Sequence, residues 1–524
     1  NWTHARSFTI SSASVRLALL PGTAPDGVEP DGVAWDRPVA LSFGGKGAAF
    51  AGVAGSWRYQ LSDTPAGRTL YDVTDPSAPT VLTLPPGTNT QFQDGPAPRP
   101  YVLAGPGMLQ TPDVSAHTPI DLTTPRDADV LYIAPATFHA ALAPLVARRQ
   151  AQGHKVAVVD VQTIYDAWSF GQADPTAIRA FLRYAAATWR RTPAAVTLVG
   201  DGTNDPLDYS GRGNANLIPP YLAMVDPWLG ETACETCYAQ LDGNTPLADE
   251  LPDLALGRLP VKNADELQAL VAKIVGYESV GGGMDWRSRA VLVADNYREV
   301  NGTADVAGDF AAFADQVAAL QPPGVEVRRL YYDPSPSHVG RPWREPDAAV
   351  AHTRTLELLN QGAGLVAYQG HSHQWQWAVT DATHEPSYLL GLYDTDDLTN
   401  SGRLPIVLEF TCLTSAFQTP AFSGTTIDER LLLAKSGAVA VWGPTGLGVA
   451  HGHDSLARGF FAALWAAPPQ RAALGELVRA GELELFTHGN CCQDTLRTFV
   501  LLGDPLTSAR VMPAERTYLP VVDR

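Results

Sequence analysis

Two apolar segments in the second half of the chain each lead into a residue that can take part in nucleophilic catalysis. The segment AGLVAYQG is followed directly by His371, and the segment LPIVLEFT is followed directly by Cys412. An imidazole can accept the proton of a thiol, and the thiolate can then attack a carbonyl carbon. The pair is therefore a candidate nucleophile and general base. The competing interpretation is that each residue is structural, because a cysteine after an apolar strand is more often a small core residue.

Both segments have the composition of strands that are buried on both faces of a parallel sheet. The carboxyl ends of such strands meet at one edge of the sheet, and consecutive parallel strands are usually neighbours. We therefore expect His371 and Cys412 to lie side by side at that edge. His373 is an alternative base, because in an extended segment its side chain points to the same face as that of His371.

The composition of the chain predicts several regions. Residues 1–93 alternate polar and apolar positions between Gly, Pro and Asp turns, which predicts an antiparallel β-sandwich-like domain. Residues 94–127 are rich in Pro, Gly and Thr and are expected to be a linker. Strands alternate with helices from residue 128 onward, which predicts two doubly wound α/β subdomains at 128–283 and 284–515. Residues 516–524 are expected to form a tail.

The bulk properties of the chain exclude some classes of partner. It has 524 residues, a formal net charge of -18 and a pI near 5.0, so nucleic acids and anionic membranes are disfavoured. The chain contains no run of about eighteen apolar residues, so no membrane-spanning helix is predicted. The first residue is Asn1, which we interpret as a processed start from which any signal peptide has been removed.

The cysteines fall into two close pairs and one isolated residue. Two disulfides and one free thiol would suit a secreted thiol enzyme, and the pairs could tie the loop around Glu235 to the segment that follows His488. The alternatives are reduced, buried cysteines in a cytosolic protein, or a four-thiolate zinc site. The zinc site is disfavoured because adjacent cysteines make tetrahedral ligation awkward. The five residues are Cys234, Cys237, Cys412, Cys491 and Cys492.

The order of these motifs resembles the caspase-like peptidases and, within that group, the gingipain family of cysteine peptidases. AYQGHSHQWQWA resembles the family's histidine segment, LPIVLEFTCLTSAF its cysteine segment, and DERLLLAKSGAVAVWGPTGLG the helix and strand that follow. LVGDGTNDP, ETACETCYAQLDG, LPDLALGRLPV and LLGDPLTSARV are also similar to family landmarks, so the resemblance runs from about residue 70 to 511. It implies a caspase-like α/β peptidase unit and a secreted cysteine endopeptidase, with Cys412 as nucleophile and His371 as base.

The chain departs from the family pattern directly after the histidine, where the family usually has glycine and this chain has Ser372. The backbone N–H groups of Ser372 and Cys412 are the implied oxyanion-hole donors, and serine retains that N–H. Glycine also has more backbone freedom. The change therefore favours an alternative from another class, a catalytically inactive scaffold that binds a partner.

The resemblance also implies a role for Glu235, because family members have an aspartate at this position beside the active site. Glu235 would be a third catalytic residue, or an acidic floor that selects Arg or Lys at P1. A solvated loop glutamate is an equally good interpretation. The candidates for lining the substrate cleft are Trp375, Trp377, Thr445 and Gly446, although tryptophan is more often a packing residue.

The chemistry requires no cofactor, and the expected partner is a protein or peptide substrate. Structural calcium, as in related peptidases, is a candidate for the Asp-rich segments LVGDGTNDPLD and LDGNTPLADELPD. However, Asp and Asn are ordinary turn residues, and neither segment fits the twelve-residue calcium loop. The metal content stays open, as does self-cleavage. A further alternative is a sortase-like transpeptidase of the same family, in which an amine instead of water resolves the acyl-enzyme.

Overall fold

A computed structural model describes residues 41–514, with gaps at 112–119, 280–284, 300, 337–342, 381–385, 421–423, 449, 467–471, 490–491 and 493. The chain divides near residue 118 into two compact units. The first part of the predicted β-sandwich region and the predicted tail at 516–524 lie outside the described residues.

The N-terminal unit contains short antiparallel strands. They are β1 (Ala48–Ala51), β2 (Arg58–Leu61), β3 (Thr69–Asp72), β4 (Thr80–Leu82), β5 (Thr90–Gln93) and β6 (Pro100–Ala104). One sheet has the order β1-β6-β3-β4, and β2 pairs with β5. A small core contains Leu61, Leu70, Tyr101 and Leu103.

Residues 94–127 were expected to be a linker without regular structure, but they contain β6. This strand pairs antiparallel with both β1 and β3. Tyr101 and Leu103 alternate along β6 and are both buried. A strand with a partner on each side can bury such residues even though the surrounding segment is rich in proline and glycine. The N-terminal unit therefore extends beyond residue 93, and the boundary near residue 118 lies within the predicted linker.

The second unit is built on one large sheet with small strands around it. Its strands are β7 (Val130–Ala134), β8 (Val156–Asp160), β9 (Ala195–Val199), β10 (Leu222–Asp226), β11 (Gly230–Ala233), β12 (Ala255–Leu259), β13 (Arg289–Ala294), β14 (Glu326–Tyr332), β15 (Arg344–Glu345), β16 (Leu365–Gln369), β17 (Ser372–His373), β18 (Gln376–Trp377), β19 (Leu390–Gly391), β20 (Ile406–Phe410), β21 (Ala440–Pro444) and β22 (Phe499–Leu502).

The two expected α/β subdomains share a single sheet, so the prediction of two separate doubly wound sheets is wrong. The order of the eleven strands is β15-β14-β13-β16-β20-β21-β22-β12-β9-β7-β8. All neighbours are parallel except β21 and β22. The join is made by β22, which pairs antiparallel with β21 and parallel with β12. Because β22 comes from the end of the chain, the pattern of either half alone does not reveal this join.

Helices pack on the sheet of the second unit. They are α1 (His139–Ala151), α2 (Val161–Trp168), α3 (Pro175–Thr188), α4 (Ala264–Ser279), α5 (Phe310–Ala319), α6 (Ala348–Gln361), α7 (Ile427–Leu433), α8 (Ala450–Ala466), α9 (Leu474–His488) and α10 (Thr495–Thr498). None of the helices in the described ranges is long and apolar enough to cross a bilayer. Capping side chains fix the starts of several helices; Asp309, for example, accepts the Ala312 N–H at the start of α5.

Candidate active site

The strands that lead into His371 and Cys412 are neighbours, which confirms the expected arrangement of the two segments. β16 and β20 pair in parallel, with Gln369 opposite Phe410. Every residue in both strands is buried. His371 and Cys412 each come two residues after that last register pair. The sheet therefore presents the imidazole and the thiol at the same level on one edge.

The imidazole of His371 is oriented by a carboxylate. Its Nε2 atom lies 2.7 Å from Oδ2 of Asp305, whose other oxygen accepts the Ala307 N–H at 2.7 Å. The ring packs edge-on against Phe310, with 5.2 Å between ring centroids. A carboxylate at Nε2 favours the tautomer that carries its proton there, which leaves Nδ1 as the acceptor. This is the protonation state that a general base requires.

Asp305 was missed in the sequence because it precedes His371 by 66 residues, which include α5, β14, α6 and β16, and because it belongs to no motif. It lies between β13 and α5, in the segment NGTADVAGD. The signal that could have found it is the strand-end rule. β13 is the neighbour of β16 in the sheet, so the loop after β13 starts at the same edge as His371.

A second carboxylate holds the backbone of the histidine segment. Asp295 directly follows β13 and accepts the N–H groups of His371 at 3.2 Å and Asn296 at 2.9 Å. Burial raises the pKa of Asp295 to about 7. Gly370 is required beside it, because a Cβ atom there would lie 2.4 Å from the Cβ of Asp295. The position of His371 is thus fixed from both its side chain and its backbone.

The sulfur of Cys412 is held by a neighbouring loop. The thiol donates to the Gly448 carbonyl at 3.4 Å, and the Gly448 N–H donates to Sγ at 3.3 Å. No hydrogen bond joins the thiol to His371 in the described part of the chain. Burial raises the pKa of the Cys412 thiol, and the negative charge of Asp226 raises it further. The hydrogen bond from the Gly448 N–H lowers this pKa by a smaller amount than burial raises it. Burial therefore favours the protonated form of the Cys412 thiol.

The side chain of Ser372 occupies the space beside the nucleophile's backbone. The Cys412 N–H donates to Ser372 Oγ at 3.0 Å, and the Ser372 hydroxyl donates to the Cys412 carbonyl. The Thr411 hydroxyl lies 2.6 Å from both Ser372 Oγ and the Gly370 carbonyl. One of the two predicted oxyanion donors, the Cys412 N–H, is therefore already engaged in this structure.

Glu235 does not have either of the roles expected of it, and it is not a solvated loop residue either. Its side chain is buried, and Oε2 accepts the Arg258 Nε–H at 2.6 Å. Arg258 lies on β12 and also donates to the carbonyls of Gly200 at 2.8 Å and Ile218 at 2.9 Å. The Glu235 carboxylate neutralises the buried guanidinium of Arg258. It is therefore not available to bind a P1 side chain or the His371 imidazole.

The carboxylate that does lie near the nucleophile's loop is Asp226, at the end of β10. Its Oδ1 accepts the N–H groups of Trp228 and Leu229, both at 2.8 Å. Its Oδ2 accepts the Leu447 N–H at 2.6 Å. Asp226 therefore ties the tip of the β10–β11 hairpin to the loop that carries Gly448. The side chains of Trp228 and Leu229 at this tip are exposed.

Two tryptophans were expected to line the cleft, and this prediction is wrong for Trp377. It is fully buried, stacks on Tyr368 with 4.7 Å between ring centroids and donates to Glu409 at 2.9 Å. Trp375 is 41% exposed and stacks on His373. Because the ring of His373 packs on an indole while Asp305 pairs with His371, the geometry favours His371 as the base.

Thr445 and Gly446 are also buried, so neither lines an open cleft as expected. The Thr445 hydroxyl donates to the carbonyls of Ala233 at 2.7 Å and Thr498 at 2.9 Å. The Gly446 carbonyl accepts the Leu413 N–H at 3.0 Å. These bonds position the loop after β21 beside the cysteine segment, and the residue of this loop that contacts the sulfur is Gly448.

Three of the disulfide candidates, Cys234, Cys237 and Cys492, are disulfide-bonded in this structure, while Cys491 lies outside the described residues. Cys234 and Cys237 are bonded to each other, and Cys492 is also disulfide-bonded. The expectation that the first pair ties its loop to a distant segment is wrong, because their sulfurs close a loop within one turn. Cys412 is a free thiol.

The Asp-rich segments use their carboxylates to shape loops. Asp205 accepts the N–H groups of Tyr209 and Ser210, both at 2.8 Å. Asp253 accepts the Leu241 N–H at 2.8 Å. Over the ranges that the structure describes, no group of three or more His, Cys, Asp and Glu side chains could hold a metal ion.

A pair of buried carboxyl groups joins the strand that leads into Cys412 to the helix α7. Glu409 of β20 and Asp428 of α7 are within hydrogen-bond reach of each other. Trp377 donates to Glu409, and Ser415 donates to Asp428 at 2.5 Å. Burial raises the pKa of Glu409 well above its usual range and that of Asp428 to about 6. Burial therefore favours a proton shared between the two carboxyl groups.

The chain was compared with known proteins. The family model of Peptidase family C25 matches residues 123–510. The crystal structure of the Arg-specific cysteine proteinase gingipain R (RgpB) is similar with a TM-score of 0.56 and 19% identity, over 76% of this chain and 81% of that one. The complex of the Porphyromonas gingivalis RgpB pro- and mature domains has a TM-score of 0.54 and 19% identity, over 72% and 79% of the two chains.

A third solved structure, described only as a protease, has a TM-score of 0.53 and 16% identity, over 74% of this chain and 78% of that one. At these identities the solved structures show a shared fold. The search of curated proteins found no match.

Replacing Glu235 with glutamine tests its structural role. The change leaves the buried Arg258 without a counter-charge, so we expect a loss of about 3–5 kcal/mol in the free energy of unfolding. Denaturant titration measures this loss. Glu250→Gln is the matched control, because Glu250 is 54% exposed in its ion pair with Arg497, and we expect a change below about 1 kcal/mol. A stable Glu235→Gln protein with altered P1 selectivity would restore the role of Glu235 in substrate binding.

Replacing Glu409 with glutamine tests the shared proton. Carboxyl groups with raised pKa values stabilise the fold at low pH, and this stabilisation is lost as the pH rises through the folded pKa, about 6 for Asp428. The wild-type melting temperature should therefore fall from about pH 5 to about pH 8, and in Glu409→Gln this fall should be smaller, by the equivalent of about 1–3 kcal/mol. The exposed Glu357→Gln variant should follow wild type. Equal falls in all three proteins would contradict the assignment.

Proposed function

The chain belongs to peptidase family C25 and is a cysteine peptidase, and on that premise we propose that it is a secreted endopeptidase with Cys412 as nucleophile and His371 as general base. The observation that carries this proposal is the His371–Asp305 pair, 2.7 Å long, at the end of the strand beside the one that leads into Cys412. We propose that Asp305 is the third catalytic residue. The sequence analysis had considered Glu235 for this role.

In the proposed mechanism, Asp305 holds the Nε2 proton so that the other ring nitrogen of His371 receives the proton of the thiol. The thiolate attacks the scissile carbonyl, and backbone N–H groups stabilise the oxyanion. His371 then protonates the leaving amine, and water releases the acyl group. The contacts of Cys412 with Gly448 must be exchanged for a contact with His371, and such tightening on substrate binding is common among peptidases.

The proposed P1 selectivity changes with the structure. The expected preference for Arg or Lys at P1 depended on a free carboxylate at Glu235. That carboxylate forms an ion pair with Arg258. Asp226, whose charge acts on Cys412, is already bound to three backbone N–H groups. The exposed side chains of Trp228 and Trp375 make apolar P1 residues the expected substrates.

The proposed location outside the cell rests on the oxidised cysteines. Disulfides form and persist in oxidising compartments and are rare in the cytosol. The Cys234–Cys237 bond and the bonded Cys492 therefore support secretion. Counting free thiols in the unreduced, denatured protein tests this: one reactive thiol supports it, and five would contradict it.

Labelling with acyloxymethyl ketone probes that carry Leu, Arg, Lys or Asp at P1 tests the nucleophile and the base. We expect the leucine probe to label wild type at Cys412, as peptide mapping would show, and both Cys412→Ala and His371→Ala to abolish labelling. His373→Ala is the matched control and should be labelled, because His373 has no carboxylate partner in the described part of the chain. Folded wild-type protein that no probe labels would contradict the proposal.

Replacing Asp305 with asparagine tests the orienting carboxylate. The amide favours the wrong imidazole tautomer, so we expect kcat/KM for a peptide substrate to fall at least about tenfold. The loss should be smaller than in serine peptidases, because a thiol is intrinsically more nucleophilic than a hydroxyl. Asp315→Asn, which removes a partly exposed carboxylate from α5 outside the site, should leave kcat/KM within about twofold. Unchanged kinetics in Asp305→Asn would remove Asp305 from the catalytic group.

A further inference from the structure

The hydroxyl of Ser372 uses its hydrogen-bonding capacity on the nucleophile's own segment. A serine hydroxyl has one donor and two acceptor positions. Here the donor is directed to the Cys412 carbonyl, one acceptor position takes the Cys412 N–H at 3.0 Å, and the Thr411 hydroxyl lies 2.6 Å away. The side chain thus bridges both backbone polar groups of Cys412.

The Cys412 N–H is the donor that a tetrahedral intermediate needs most directly, because it lies next to the atom that attacks. An oxyanion hole works when its donors are aimed at the place where the oxyanion forms. In the resting structure this donor is aimed at Ser372 Oγ instead. The hydroxyl's own proton is committed to the Cys412 carbonyl, so it does not replace the missing donor.

The backbone around Ser372 is unable to move aside. Gly370 packs against Asp295 and Tyr368, where an added Cβ would lie 2.4 Å from the Cβ of Asp295 and 2.4 Å from the hydroxyl oxygen of Tyr368. The His371 N–H is held by Asp295, and the His371 carbonyl accepts the Tyr368 hydroxyl. The part that can move is the Ser372 side chain, by rotation about χ1 to another staggered position.

We propose that Ser372 is a positioning residue that keeps the oxyanion site of the resting enzyme closed, so that a substrate carbonyl must displace its hydroxyl before it reaches the Cys412 N–H. The inference rests on the proposed function, because it presumes that Cys412 attacks a carbonyl. With glycine at this position the N–H would be open. The serine therefore slows steps that build an oxyanion and leaves direct reactions of the thiolate unchanged.

Two reactions at Cys412 separate these effects in wild type, Ser372→Ala and Ser372→Gly. A peptidyl aldehyde adds the sulfur to its carbonyl carbon, and the thiol proton passes to the carbonyl oxygen, which occupies the oxyanion site of the resulting thiohemiacetal. Iodoacetamide forms a carbon–sulfur bond and releases iodide, while the thiol proton passes to solvent, and no oxyanion forms. The alanine variant retains Cβ and removes only the hydroxyl, so it separates the hydroxyl from the backbone freedom of glycine.

We expect both variants to bind the aldehyde about five- to tenfold more tightly than wild type, as expected for one recovered hydrogen bond, with iodoacetamide rates within about twofold. Weaker or equal aldehyde binding in both variants would overturn the inference, and weaker binding would identify the hydroxyl as an oxyanion donor. Aldehyde binding that Cys412→Ala abolishes would support the proposed function independently. Absence of binding in all three folded proteins would overturn the function and the inference with it.

Discussion

The parallel pairing of β16 with β20 is the constraint on which the site depends. Because Gln369 is paired with Phe410, the two strands end at the same level of the sheet, and His371 and Cys412 follow at equivalent positions. A slip of one residue would turn every side chain of one strand to the opposite face, and the burial of both strands prevents such a slip. The backbone hydrogen bonds of two apolar strands thus bring a base and a nucleophile together although neither residue contributes to the sheet.

The site combines an oriented imidazole, the proposed base, with a thiol, the proposed nucleophile, that has no hydrogen bond to it among the described residues. Asp305 and Asp295 fix His371 from its ring and its backbone, and both contacts exist without substrate. Cys412 is instead bound to Gly448 through its sulfur and to Ser372 through its backbone. The proposed mechanism therefore requires new contacts between Cys412 and His371 when substrate binds.

Burial decides which role each carboxylate has. Asp305 pairs with an imidazole whose side chain is 47% exposed, so this pair lies where substrate can reach it. Glu235 and Glu409 are enclosed, and there the cost of an unpaired charge governs their behaviour. Glu235 remains useful as the partner of Arg258, whereas Glu409 keeps a proton with Asp428. All three side chains end in a carboxyl group, and the environment decides what each one does.

The sequence by itself determined the candidate nucleophile and base, the parallel strands that carry them and the free thiol among bonded cysteines, because these follow from local pattern and chain order. Tertiary structure decided the rest. Asp305 reaches His371 only through the neighbouring place of β13, and Glu235 is buried only because Arg258 comes from β12. The single sheet requires β22, and the closed oxyanion site requires Ser372 to meet Cys412 across two strand ends. Contacts between residues far apart in the chain leave no periodicity in the sequence, so only the fold reveals them.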